Sequence, residues 1–193
     1  METENLATIL DATSGLVATI DRWDAPTPCP EWNVRELVGH MVLGNRLFTG
    51  ILHGEAGGTL DPKGQDVLGA DPAGTYRQAA DELLVAFRLP GVLERIVQVP
   101  VGPVPGIAAV HLRAVEELTH GWDLAQATGR QLDVPGDVVE REIEFTRGKL
   151  ADVPPDRSPF APPQPVPDDA SPLDRLAALL GRKVEPALPS GCP

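Results

Sequence analysis

The sequence predicts an all-α protein: a four-helix bundle with extra short helices and a proline-rich strap at its C-terminus. Three observations predict it. Apolar residues recur at helical spacing in four long segments, helix caps stand at several of their ends, and strand-like alternation is sparse. Eleven of the 21 prolines lie beyond residue 150, where a helix could not survive them.

The first helix is expected from about Glu2 to Ile20, with Leu6, Ile9, Leu10, Leu16 and Ile20 on its apolar face. A turn-rich stretch, Asp24 to Trp32, follows it. Asn33 then stands as an N-cap with Glu36 three residues on, the spacing of a capping box. The second helix runs from Val34 to about Leu52 through Leu37, Met41 and Phe48. Gly54 to Pro72 is a loop of Gly, Asp and Pro, and a third helix covers about Pro72 to Leu89. Arg95 to Val104 alternates valines with turn residues, which suits a short strand or an extended connection. The fourth helix spans about Ile107 to Thr128, with Gly129 placed to end it in the left-handed conformation. A fifth covers about Pro135 to Leu150. Ser171 and Pro172 open a last short one as N-cap and first helical residue. Residues 1–150 form the helical domain in this reading. Residues 151–193 are a strap and short helix packed on it, with Val153 to Pro167 extended and Phe160 as the aromatic that pins them.

The 193 residues carry a net charge of −12. So acidic a surface repels phosphate backbones and anionic headgroups, which disfavours nucleic-acid and membrane-surface roles. No apolar run approaches the roughly 20 residues needed to span a bilayer. The first five residues are acidic where a secretory signal would be basic. Cys29 and Cys192, at opposite ends, make neither a disulfide framework nor a cysteine zinc cluster. A cytoplasmic location is therefore the expectation. Nucleophile-elbow, phosphate-loop and dinucleotide fingerprints are missing from the sequence. Cys29, between two prolines and away from any basic cluster, is read as a packed turn residue.

The histidines carry more information. Glu116 and His120 are four apart on the fourth helix, so their side chains stack on one face and can share a divalent metal. Asp123 falls near that face, to ligate as well or to hold a histidine ring. His111, about 140° round from Glu116, faces the stripe of Ile107, Ala114, Leu118 and Ala125 and reads as a core histidine. On the second helix His40 borders the apolar stripe, with Gly44 leaving room one turn along, while His53 reads as a surface residue at the helix end. The best constellation is His40 with Glu116 and His120. Two histidines and a carboxylate leave an open coordination position, as catalytic zinc requires. Glu116 and His120 lie nearly opposite the stripe centred on Leu118, so the expected site is a solvent-open groove at the bundle edge. Trp32 and Trp122 are read as packing residues at helix junctions.

The segment Thr27-Pro-Cys-Pro-Glu-Trp-Asn-Val-Arg-Glu-Leu-Val-Gly-His40 resembles the first motif of the actinobacterial DinB-like proteins. These include the metal-binding N-terminal domain of mycothiol-dependent maleylpyruvate isomerase. Glu116-Glu-Leu-Thr-His-Gly-Trp-Asp-Leu-Ala-Gln-Ala-Thr-Gly129 resembles their second motif, and the ending from Phe160 resembles a stand-alone subgroup. The resemblance implies a four-helix bundle and a metal on His40, Glu116 and His120. A separate C-terminal domain completes the isomerase site. Here only a strap and a short helix follow, so the isomerase activity itself is not carried over. The resemblance also implies a low-molecular-weight thiol, mycothiol, as cofactor.

Zinc on such ligands would acidify bound water or stabilise a thiolate, and iron or nickel would also suit them. The first functional expectation is a metal-dependent thiol transferase, or isomerase-like enzyme, acting on a small electrophile. A non-catalytic metal-stabilised module and a hydrolase using metal-bound water are the alternatives. Asp123 and Glu117 are candidate bases by proximity only. The substrate and the oligomeric state, a dimer among the options, stay open.

Overall fold

The computed structural model describes residues 2–55, 57–151 and 160–184. They form six helices and one two-stranded sheet. The chain divides into two compact units, Met1–Val134 and Pro135–Pro193, so the fifth helix groups with the C-terminal segment.

The first unit holds α1 (Glu2–Val17), α2 (Val34–His53), α3 (Pro72–Phe87) and α4 (Gly106–Thr128). The main contacts of α1 are with α3 and α4, and those of α2 are with the same two helices. The four therefore close a ring in the order α1, α3, α2, α4. Leu6, Ile9, Leu37, Met41, Leu83 and Leu118 are all at most 1% exposed and fill its centre.

Most boundaries follow local chemistry. Asn33 and Glu36 form both halves of the capping box, and Gly54 closes α2 in the left-handed region at φ 87°. Asp71 caps α3. This helix stops at Phe87 rather than Leu89, because Pro90 biases the residue before it away from helical angles. The first helix also stops short of Ile20. Its end tightens into bonds from Thr19 to Leu16 and from Ile20 to Val17, three residues back. Gly129 ends α4 at φ 66°.

The valine-rich stretch before α4 is an antiparallel hairpin, β1 (Ile96–Val99) with β2 (Gly102–Pro105). Ile96 pairs with Pro105 and Val99 with Gly102, and Gly102 takes φ 112° at the turn. Val97 and Val99 are buried beneath it.

In the second unit α5 (Gly136–Leu150) packs on α6 (Pro172–Leu179), which Ser171 caps. Much of the expected strap, 152–159, lies outside the described residues, as does Cys192. Residues 160–167 are neither helix nor strand, Phe160 is half-buried, and the Gln164 amide donates to the Ala178 carbonyl at 2.9 Å.

Candidate metal centre

Two helices of the ring and the turn before one of them build the site. The turn is fixed by its own polar groups. The Thr27 hydroxyl donates to the carbonyls of Cys29 and Trp32, and the amides of Val34 and Arg35 donate to Ala25 and Trp23. Trp32 is thereby laid against the first turns of α2. Its ring stacks on His40 at 4.1 Å and meets His120 edge-on at 6.1 Å. The expectation that Trp32 merely packs a junction is thus incomplete: its indole walls the histidine pair. Its lone place in a turn gave no spacing signal for this. Trp122 is buried.

His40 projects from α2, and Glu116 and His120 project from α4. The two imidazoles are 5.1 Å apart, centre to centre, at 83°. Glu116 Oε2 lies 3.6 Å from His40 Nε2 and 3.5 Å from His120 Nε2. All three ligand atoms fall within 4.8 Å of one another. Tetrahedral bonds of about 2.0–2.1 Å would separate ligand atoms by roughly 3.3–3.5 Å, so the spacing suits one ion.

The far side of each ring decides what its near side can do. His40 Nδ1 lies 2.8 Å from the Leu60 carbonyl, which can only accept, so Nδ1 carries a hydrogen. His120 Nδ1 lies 3.1 Å from Asp123 Oδ2, likewise an acceptor. In the neutral tautomers both Nε2 atoms therefore turn lone pairs toward the Glu116 carboxylate. Three acceptors facing one another repel unless a positive charge, a proton or a metal ion, lies among them. Outer partners on ligating histidines also set tautomer and ring angle. The donor set and its supports fit a divalent ion.

Burial differs from the open groove expected. His40 and His120 are each 7% exposed and Asp123 is fully buried, while the Glu116 side chain keeps 37% of its surface. The cause is the setting of α4, which touches α1, α2 and both strands, so little of its circumference is a solvated face. Glu117, a candidate base in the sequence, is also fully buried. It is bound to Arg113 and Tyr76 and turned away from the imidazoles. His111 is half-buried on α4, and His53 is exposed at the end of α2.

Without a metal the cluster holds a proton. Burial pushes the His120 pKa down, but the hydrogen bond to Asp123 and the interaction with Glu116 outweigh it and raise the value to about 9. Burial likewise pushes Glu116 up, yet its contacts with the His120 and His40 rings hold it well below the usual carboxylate range. The raised histidine stabilises the metal-free fold fully below its ordinary pKa of 6.5, and that contribution is lost as pH rises through about 9. A metal must displace this proton. Apparent affinity is therefore expected to rise about tenfold per pH unit below about 9, with one proton released from His120 per ion bound. Calorimetric titrations in buffers of different ionisation enthalpy measure that proton directly.

Asp123→Ala removes the acceptor from His120 Nδ1 while leaving the three candidate ligands in place. Affinity for zinc is expected to fall by roughly 10–100-fold, the usual cost of losing such a partner. Competition with a chromophoric chelator checks it.

Comparison with known proteins agrees with this architecture. The family described as mycothiol maleylpyruvate isomerase N-terminal domain matches residues 6–125. The uncharacterized protein Rv0738 of Mycobacterium tuberculosis (strain ATCC 25618 / H37Rv) is 34% identical over 179 residues, which are 90% of this chain and 93% of that protein. Rv0036c of the same strain, also uncharacterized, is 31% identical over 139 residues, covering 62% of this chain and 53% of its own. Among solved structures, the mycothiol-dependent maleylpyruvate isomerase superposes with a TM-score of 0.58 at 17% identity, covering 72% of this chain and 67% of the enzyme. At that identity the likeness is one of fold.

Proposed function

Since the chain belongs to the mycothiol maleylpyruvate isomerase N-terminal domain family, we propose that it binds a divalent metal on His40, Glu116 and His120. We further propose that it activates mycothiol, or a similar small thiol, toward a small electrophile in a transferase or isomerase-like reaction. Zinc is the first choice of ion, and nickel or iron would suit the same donors.

One observation carries the proposal: two Nε2 atoms and one carboxylate oxygen converge while Leu60 and Asp123 hold the opposite ring nitrogens. Three protein ligands leave room for a fourth. A zinc ion bound there would supply Lewis acidity, favouring the thiolate form of a sulfur ligand at neutral pH. The chain's own part is positioning. Asp123 and the Leu60 carbonyl fix the ring angles, Trp32 covers one face of His40, and Glu116 is the ligand that meets solvent.

A second reading, a metal-stabilised binding module without turnover, draws on the fate of the acids. Glu117 is committed to Arg113 and Tyr76, and Asp123 to His120, so neither candidate base is available. Elemental analysis of protein purified without an affinity tag, followed by cobalt substitution, tests the proposal. Mycothiol added to the cobalt protein is expected to produce a sulfur-to-metal charge-transfer band. No band at millimolar thiol would remove the thiol chemistry and favour the module. Turnover of an electrophile without any thiol would instead point to a hydrolase.

A further inference from the structure

A second polar cluster lies inside the bundle, and the chemistry above does not use it. The Arg113 guanidinium donates through Nη2 to Glu117 Oε1 at 2.6 Å and to Asn45 Oδ1 at 3.1 Å. The Tyr76 hydroxyl donates to the other Glu117 oxygen. Tyr76, Asn45 and Glu117 are fully buried and Arg113 is 2% exposed. The cation also lies 5.4 Å from the centre of the Phe48 ring. One ion pair thus ties α4 to α2 through Asn45 and Phe48, and to α3 through Tyr76. The backbone of α2 is cut away to receive it: a Cβ on Gly44 would stand 2.5 Å from Arg113 Nη1.

A charged pair is a poor way to stabilise a core, since apolar residues of similar volume usually serve as well or better. What it supplies is directionality, because a guanidinium fork accepts few arrangements. Its location says what that directionality can serve. Gly44 is one turn from His40 on α2. Glu117 adjoins Glu116 and Arg113 is one turn before it on α4. The metal ligands come from those two helices, and a one-residue slip of α4 would move Glu116 by about 1.5 Å along the axis and about 100° round it. Even a fraction of that takes its oxygen out of a coordination sphere built on bonds of about 2.0–2.2 Å.

We propose that Arg113, Glu117, Tyr76 and Asn45 are positioning residues that set the register of α4 against α2, and so the convergence of Glu116 and His120 on His40. The inference rests on the metal-binding reading above.

The test uses the full chain with cobalt(II) alone as probe. The double variant Arg113→Met/Glu117→Gln removes both charges, leaves an acceptor for Tyr76 and strands no ion. It is expected to unfold at a temperature no lower than wild type when metal-free, yet to bind cobalt at least about tenfold more weakly, as loss of outer support does elsewhere. Its visible d–d bands are expected to change shape, reporting altered ligand geometry. Tyr76→Phe deletes one oxygen, keeps the ion pair and should shift the same bands. It serves if the double variant does not fold. A folded variant with wild-type cobalt affinity and spectrum would overturn the positioning role while leaving the metal site standing. Failure of wild-type protein to bind cobalt would remove the metal reading and this inference with it.

Discussion

Replacing His120 by alanine is expected to cost more than about 100-fold in zinc affinity, beyond the range reached by loss of an outer partner alone. His120 is one of the three proposed protein ligands, and two ligands hold a divalent ion poorly. The ring is also buried, touching His40 and Trp32 and holding Asp123 on its far nitrogen. The variant should therefore lose some stability besides zinc affinity, about 1–3 kcal/mol for disturbing buried hydrogen-bonding groups. Glu116→Gln separates the two effects. Its side chain is 37% exposed and the substitution preserves shape, so it should weaken zinc binding with little change in unfolding temperature. Zinc titrations and thermal unfolding of both variants check this. Wild-type affinity in His120→Ala would mean that any bound metal sits elsewhere.

Local rules made much of this legible. Capping signals at Asn33, Gly129 and Ser171 mark ends that the structure keeps. Helical rotation placed Glu116 and His120 on one face and His40 at the edge of the apolar stripe of α2, and the two motifs pointed to the same three residues. The parts that escaped depend on what each helix meets across the fold. A charged residue at i and its partner at i+4 look the same on a solvated helix as in a core. Arg113 and Glu117 therefore gave no sign of being buried. The burial of His120 escaped for the same reason, because the stripe through Leu118 marks only one of the sides on which α4 is covered. Trp32 was hidden differently. It faces His40 because a threonine-bridged turn folds back on the start of α2, and no periodicity describes a turn.

The buried ion pair makes the largest stability prediction. Arg113→Met alone should destabilise the protein by about 3–5 kcal/mol, because it leaves the fully buried Glu117 carboxylate without its cation. Tyr76 still donates to that carboxylate, but a single neutral hydroxyl does not replace a guanidinium. At about 2–4 °C per kcal/mol for a chain of this size, the unfolding temperature should drop by roughly 10 °C. Adding Glu117→Gln to the same protein should recover the loss, since the stranded charge then disappears. A non-additive pair of this kind is what a double-mutant cycle measures, and a coupling of several kcal/mol is expected for charges in direct contact. If the two substitutions simply add, the pair is screened and the guanidinium is not held as the 2.6 Å contact indicates. If Arg113→Met is as stable as wild type, Glu117 has found another partner, and the register of α4 must be kept by packing alone.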